Sequence, residues 1–104
     1  MYARVTTIQG SADQIDEGID TLRDTTLPAV KGIEGFKGIC SLVDRQTGKG
    51  LTITLWESET AMQTSEEEAN RIRREVAGNL GATGEPTVER YEVALYEIAS
   101  PVTA

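Results

Sequence analysis

Histidine is absent from the sequence and cysteine occurs once, which together exclude several kinds of chemistry. Without histidine, the chain has neither the Ser–His or Cys–His pairs of nucleophilic catalysis nor imidazole ligands for a metal ion or haem. The single cysteine, Cys40, allows no disulfide within the chain, which is typical of a reducing compartment. We therefore predict a cytoplasmic protein with no metal site and no cofactor.

Long apolar runs and positive charge are also scarce. No stretch is long enough for a transmembrane helix, and the first residues, MYARVTTIQG, lack the apolar block of a signal peptide. Lysine and arginine number 10 against 17 aspartates and glutamates, so the net charge is −7. Because this charge repels phosphate groups, we expect no nucleic-acid partner and no membrane surface.

The remaining composition is that of an ordinary globular domain. Hydrophobic residues make up 38% and charged residues 26% of the 104 residues, enough for a core without covalent cross-links. We expect a single domain over residues 1–104, in which residues 99–104 form a flexible tail.

Alternating and helical hydrophobic patterns follow each other in the order β-α-β-β-α-β. Helices are predicted over residues 12–26, where Pro28 either ends the helix or starts a separate short turn at 28–31, and from residue 66 onward, where Gly78 and Gly81 are candidate stops. Ser58 is predicted to cap a short helix through Met62. Strands are predicted at residues 2–9, 36–45, 51–57 and 87–98. This order indicates an α+β, ferredoxin-like fold: a four-stranded antiparallel sheet with two helices on one face.

The second face of the predicted sheet is too apolar for water. Leu51, Ile53 and Leu55 alternate onto one face of the third strand, and the second strand is predicted to place Phe36, Cys40 and Leu42 together on one side. Two helices cover only one face of such a sheet. The sequence therefore predicts a homodimer that buries the other face.

Two short motifs make the sequence resemble the antibiotic biosynthesis monooxygenase family over about residues 2–98. They are WESETAM at residues 56–62, at a strand-to-helix junction, and GFKG at residues 35–38, at the entry to the second strand. The resemblance implies a dimeric α/β barrel in which each protomer holds a cavity between sheet and helices. It also implies either cofactor-free oxygenation of polycyclic phenols or haem degradation.

The residues that these activities use in the family are only partly present. Oxygenase members carry an asparagine four residues before the tryptophan, where this chain has Thr52. Haem-degrading members carry an asparagine on strand one, matching about Thr6, and a histidine about ten residues past the tryptophan, where this chain has Glu66 or a neighbour. The absence of histidine argues against haem degradation, whereas Thr52 leaves oxygenation open.

Five residues are candidates for the cavity wall. Trp56, the only tryptophan, is either a core side chain or a wall that stacks on a flat ligand. Arg73 flanks the apolar stripe of its helix and either lies in solvent or steadies a phenolate or carboxylate. A dry core layer would favour the leucine and isoleucine row of the third strand over the polar row that shares the face of Trp56. The candidates are Trp56, Thr52, Thr54, Arg73 and, with an interface or core role as its alternative, Tyr91.

Two functions from different classes remain open. The first is a small cofactor-independent monooxygenase that acts on an aromatic or polyketide-like substrate, with no catalytic residue assigned. The alternative is a non-catalytic dimeric protein that binds a small ligand, or a structural dimer whose cavity is filled.

Overall fold

The computed structural model describes residues 1–79 and 84–99 and contains one four-stranded antiparallel sheet. The strand order is β2-β3-β1-β4, so that β1 lies between β3 and β4. The helices pack on one face, and the predicted ferredoxin-like fold is confirmed. The strands are β1 (Tyr2–Gln9), β2 (Phe36–Val43), β3 (Lys49–Trp56) and β4 (Thr87–Glu92).

Two helical segments connect the strands on the covered face. Between β1 and β2, a 3₁₀ turn (Ala12–Gln14) leads into α1 (Ile15–Thr21), a π-helical turn (Leu22–Thr26) and α2 (Leu27–Lys31). After β3 come α3 (Glu59–Thr64) and α4 (Glu66–Asn79). Ser58 caps α3 as predicted, because its Oγ accepts a hydrogen bond of 3.1 Å from the Ala61 N–H.

The first helical segment does not end at residue 26 as predicted but continues to Lys31. The N–H of Leu27 donates to the carbonyl of Leu22, five residues earlier, which widens the helix by one residue at this point. Pro28 then falls in the first turn of α2, where its missing N–H costs no helical hydrogen bond. The proline is therefore accommodated by a π-helical turn.

Phe36 lies on the opposite face of β2 from the one that strict alternation predicts. Phe36 pairs with Trp56, but Gly38 pairs with Leu55, so a β-bulge shifts the register by one residue between them. The ring of Phe36 consequently faces the helices and meets the Trp56 ring edge-on, with centroids 5.7 Å apart. Of the three residues that were predicted to share one side of β2, Cys40 and Leu42 lie on the uncovered face, where Cys40 pairs with Ile53 and Leu42 with Leu51.

Strand β4 ends at Glu92, not at residue 98 as predicted. The Val93 N–H donates to the Met1 carbonyl at 2.9 Å, one residue beyond the last pair of the two strands, Tyr2 with Glu92. Beyond this point Leu95 is 86% and Ile98 70% exposed. Residues 100–104 of the predicted tail, and Gly81 of the predicted helix end, lie outside the described residues.

The core lies between the sheet and the helices. It centres on Ile8, Val30 and Ile72, and partly buried side chains pack around it: Leu22, Leu27, Ala29, Ile33 and Phe36. The other face of the sheet has no covering layer among the described residues, and Leu42 and Tyr91 there are about half exposed. Within the described ranges, no helix is both long and apolar enough to cross a membrane.

Replacing Gly35 should destabilise the fold next to Trp56. Gly35 has φ of 86°, and a Cβ at this position would overlap the Cβ of Ala61 in α3. We expect Gly35→Ala to lower the free energy of unfolding by about 1–3 kcal/mol. Gly32→Ala is the control, because Gly32 has φ of −83° and the atom nearest to its new Cβ, the Ala29 carbonyl oxygen, would be 3.8 Å away. Urea titration measures both, and equal stabilities of the two variants would contradict the prediction.

Candidate ligand cavity

A cavity of about 50 Å³ lies between the sheet and the helices. This volume is enough for roughly three or four water molecules. In the sheet, Arg4 pairs with Thr54 and Thr6 with Thr52, so the inward-facing rows of β1 and β3 form its floor. The lining consists of Arg4, Thr6 and Ile8 from β1, Thr52, Thr54 and Trp56 from β3, Leu22, Thr26, Val30 and Ile33 from the first helical segment and its end, and Ala69, Ile72 and Arg73 from α4.

Trp56 is both a core side chain and part of the cavity wall. It is 1% exposed, and its ring packs against Phe36. Its indole N–H donates to the Thr54 Oγ1 at 2.9 Å. Because this N–H is already paired, Trp56 offers a ligand its aromatic ring and no free donor.

Arg4 is a charged side chain buried in the middle of β1, with an exposure of 2%. Its Nη2 donates to the Met62 carbonyl at 2.6 Å and to the Ser65 Oγ at 2.8 Å, which holds the end of α3 and the start of α4. Its guanidinium carbon lies 5.4 Å from the centre of the Trp56 ring, a cation–π distance. The same Nη2 is 3.4 Å from a carboxylate oxygen of Glu66.

The carboxylate of Glu66 faces more than one arginine. It is 3.4 Å from Arg4 and also accepts a hydrogen bond from Arg90. Burial alone would raise the pKa of Glu66, but the hydrogen bond from Arg90 and the nearby guanidinium charges outweigh burial and hold this pKa below its ordinary value. Glu66 therefore stays ionised beside the cavity.

The arginines around Glu66 leave an excess of positive charge. Burial lowers the pKa of Arg4 and of Arg73, Glu66 partly offsets this effect, and the charge of Arg90 lowers both further. Arginine nevertheless remains protonated in proteins. Three cations against one carboxylate make this edge of the cavity positive in a chain whose net charge is −7.

Three buried polar atoms on the cavity wall have no hydrogen-bond partner: Arg4 Nε, Thr26 Oγ1 and Arg73 Nε. A fourth such atom among the described residues, Gln14 Oε1, does not belong to this cavity. Native proteins rarely leave buried polar groups unpaired, and each costs about 1–3 kcal/mol. Each of the three atoms is also almost fully covered by neighbouring protein atoms, so a partner can reach it only when the cavity walls separate.

The structure brings four of the five sequence candidates together. Trp56, Thr52, Thr54 and Arg73 all line the cavity, and their role in substrate binding stays a prediction. Tyr91 lies elsewhere, because it pairs with Ala3 on the uncovered face of the sheet and its hydroxyl donates to Glu89.

Sequence reasoning missed Arg4 and Thr26. One feature of the sequence could have indicated Arg4: it is a charged residue on the same face of the first strand as Thr6 and Ile8. No feature of the sequence could have indicated Thr26, because its burial depends on the π-helical turn. Among the described residues, no group of three or more histidine, cysteine, aspartate or glutamate side chains is placed to hold a metal ion.

Neutralising Glu66 should destabilise the protein in a pH-dependent way. We expect Glu66→Gln to lower the free energy of unfolding at pH 7 by about 1–3 kcal/mol, because buried guanidinium groups lose their counter-charge. The pKa of Glu66 is lowered in the fold, so its contribution is complete above the ordinary value of 4.5 and is lost as pH falls through the lower folded pKa.

Denaturant titrations between pH 3 and pH 8 should therefore show the difference from the unsubstituted protein shrinking only below about pH 4.5. Glu67→Gln, an exposed change in the same turn of α4, is the control and should stay within about 0.5 kcal/mol. A Glu66→Gln effect as small as that of Glu67→Gln would contradict the role of Glu66.

No family model matches the sequence. The chain is 43% identical over 94 residues to the uncharacterized protein Rv2557 of Mycobacterium tuberculosis strain H37Rv. That alignment covers 90% of this chain and 41% of the relative, so the chain spans about two fifths of the relative's length.

Solved structures match almost the whole chain at low sequence identity. A monooxygenase from Streptomyces coelicolor, from the gene ActVA-Orf6 and in complex with nanaomycin D, has a TM-score of 0.76 at 14% identity, covering 95% of this chain and 92% of that one. The haem degrader MhuD of Mycobacterium tuberculosis has a TM-score of 0.72 at 23% identity, covering 93% and 99%. Further matching structures are named as antibiotic biosynthesis monooxygenases. The protein therefore has the ferredoxin-like fold of the antibiotic biosynthesis monooxygenases.

Proposed function

We propose that the protein is a small cofactor-independent monooxygenase whose aromatic or polyketide-like substrate binds against Trp56. The observation that carries this proposal is the cavity itself, which combines an aromatic wall with unpaired arginine donors. Apolar pockets with a few convergent polar groups are the usual form of small-molecule sites. The shared fold with a monooxygenase crystallised with nanaomycin D supports the same function, although a fold alone does not determine one.

The chemistry requires little from the protein, because an electron-rich phenol supplies the electrons itself. Ionised phenol and O₂ form a new carbon–oxygen bond at the ring. Loss of the ring hydrogen and cleavage of the O–O bond then give a quinone and one water. The substrate is oxidised, both oxygen atoms are accounted for, and no external reductant is needed.

The cavity residues act on this reaction through orientation and charge. The ring of Trp56 positions the flat substrate, and the guanidinium groups of Arg4 and Arg73 stabilise the phenolate that reacts with O₂. Thr52 and Thr54 supply hydroxyl groups along the floor, although Thr54 already accepts the Trp56 N–H. Since the free volume is about 50 Å³, we expect the walls to separate when a ring system enters.

A non-catalytic ligand-binding protein is the second candidate. Thr52 favours it, because the oxygenases that this sequence resembles carry an asparagine at that position, and a hydroxyl cannot replace both hydrogen-bonding groups of an amide. Haem degradation is not proposed. Although MhuD shares the fold, this chain has no histidine, and Glu66, at or next to the position that the resemblance assigns to that ligand, forms ion pairs with arginines.

We also propose that the protein forms a homodimer through the uncovered face of its sheet. Leu51, Ile53 and Leu55 remain only half-buried there, and Leu42 is 49% exposed. Exposed apolar areas of this kind are usually interfaces, and twofold dimers are the commonest arrangement. The single cysteine supports a cytoplasmic location as part of the same proposal.

The assembly predicts a particle of twice the chain mass of 11.3 kDa by light scattering at micromolar concentration. Leu42→Glu should weaken it, because the substitution buries a charge in the sheet interface. Thr60→Glu, an equally exposed change on the helical side in α3, should leave the mass unchanged. A monomer mass for the unsubstituted protein would refute the dimer.

The catalytic proposal predicts oxygen uptake with at least one compound from a panel of polycyclic phenols. The same compound should quench the fluorescence of Trp56 saturably, since this is the only tryptophan. Trp56→Phe retains most of the ring volume and should keep the fold while weakening binding measured by calorimetry. Trp56→Ala is less informative, because its cost of about 3–5 kcal/mol would confuse folding with binding.

The outcomes separate the two functions. Saturable quenching with no oxygen uptake above the rate of the phenol alone would favour the binding protein. If no phenol binds or reacts, and the indole stays inaccessible to quenchers, Trp56 serves as core and both functions fail.

A further inference from the structure

We infer that the cavity recognises an anionic aromatic ligand: two acceptor oxygens that share one negative charge pair with Arg4 and Arg73, and a third polar group pairs with Thr26. The inference rests on the proposed function and specifies the class of its ligand. It adds ligand-binding roles for Arg4 and Thr26 to a cavity otherwise described by its tryptophan wall. The resemblance to the monooxygenase family does not imply these two roles.

The first step concerns the hydrogen-bonding capacity left on the two arginines. Nη2 of Arg4 is used by Met62, Ser65 and Glu66, whereas its Nε is buried and unpaired. Arg73 shows the same division, because its Nη1 donates to the Asn70 side chain and its buried Nε has no partner. Each guanidinium is thus anchored by the protein through one terminal nitrogen, and its buried Nε–H has no partner within the protein.

The second step concerns charge. Glu66 is the carboxylate that faces Arg4, Arg73 and Arg90, so one negative charge balances three positive ones. Buried charges are costly unless they are paired, and hydrogen bonds between ionised partners are about twice as strong as neutral ones. A ligand group with two oxygens and one negative charge satisfies both N–H groups and reduces the charge excess. Carboxylates and ionised hydroxyketones have this form.

The third step concerns Thr26, which lies in the π-helical turn and is 5% exposed. Threonine hydroxyls within helices commonly donate to the carbonyl four residues earlier, as Thr21 does to Glu17 at 3.0 Å. Thr26 makes no such bond: the residue lines the cavity, and its Oγ1 is buried without a partner. π-helical turns occur frequently at functional sites. This turn therefore supplies a hydroxyl group that the helix itself does not use.

The three unpaired atoms come from three separate parts of the wall: the sheet, the first helical segment and α4. A purely apolar ring would leave all three atoms unsatisfied. An aromatic acid that also carries a hydroxyl or carbonyl group can pair with all of them. We therefore expect the protein to discriminate by charge as well as by shape.

The test compares three probe compounds by calorimetry and by Trp56 quenching: a hydroxynaphthoate, its neutral amide, and the naphthoate without the hydroxyl. We expect the hydroxynaphthoate to bind about tenfold or more tightly than its amide. Arg73→Gln should remove most of this preference. Arg74→Gln, the same charge change at an exposed neighbouring position that does not line the cavity, should preserve it.

Arg4→Lys keeps the charge but removes the Nε donor, and we expect it to reduce the preference as well. If this buried substitution prevents folding, Arg73→Gln still decides the question. Thr26→Val should weaken the hydroxynaphthoate several-fold and leave the naphthoate unchanged, which a general disturbance of the cavity would not do. Thr25→Val, at the exposed neighbouring position, should affect neither compound.

Equal affinities for the hydroxynaphthoate and its amide would overturn the inference, as would equal effects of Arg73→Gln and Arg74→Gln. Binding of none of the three probes, with water alone in the cavity, would overturn it too. In each of these cases oxygen uptake with neutral phenols still tests the proposed function separately, so the two can fail independently.

Discussion

The guanidinium group of Arg4 is the contact on which the rest of the site depends. It is a buried cation in the central part of the sheet, and it ties β1 to the Met62 carbonyl and the Ser65 hydroxyl at the junction of α3 and α4. It also contacts the Trp56 ring and the Glu66 carboxylate. Partners of one buried charge must stay in register, because an unpaired charge in the interior is costly. Arg4 therefore positions both the aromatic wall and the start of α4, from which Arg73 projects.

This arrangement explains how a chain with 17 acidic residues can hold the anion-binding cavity that we propose. The acidic side chains are distributed over the surface, whereas arginines from β1, α4 and β4 converge on one edge of the cavity. Arg4 is 2% exposed, and burial strengthens its interaction with a bound anion. Arginines at a cavity wall suit both an oxygenase that stabilises a phenolate and a protein that only binds an aromatic acid. Whether the bound ligand is oxidised therefore depends on its own reactivity with O₂.

The order of strands and helices was predictable because hydrophobic periodicity and turn residues carry it directly. The errors arose where one residue changes the geometry. The bulge beside Gly38 moves Phe36 to the covered face, and the π-helical turn lets the first segment pass Pro28. The end of β4 follows its pairing with β1, in which Tyr2 and Glu92 form the last pair, and no local pattern in TVERYEVALYEI contains that information.

The candidate site was predictable to the extent that it follows sheet alternation. Thr52, Thr54 and Trp56 share a face because strand side chains alternate, and Arg73 follows from helical spacing. Thr26 could not be found, because its burial depends on the irregular turn. The two buried arginine N–H groups could not be recognised either, because an unpaired atom is defined only once every neighbour is in place.

A crystal structure of the protein with a bound hydroxynaphthoate tests the central claim most directly. The account predicts the ring against Trp56, with the carboxylate oxygens about 3 Å from the Nε atoms of Arg4 and Arg73. Water alone in the cavity at saturating compound, or a ring bound with its carboxylate directed away from both arginines, would contradict it.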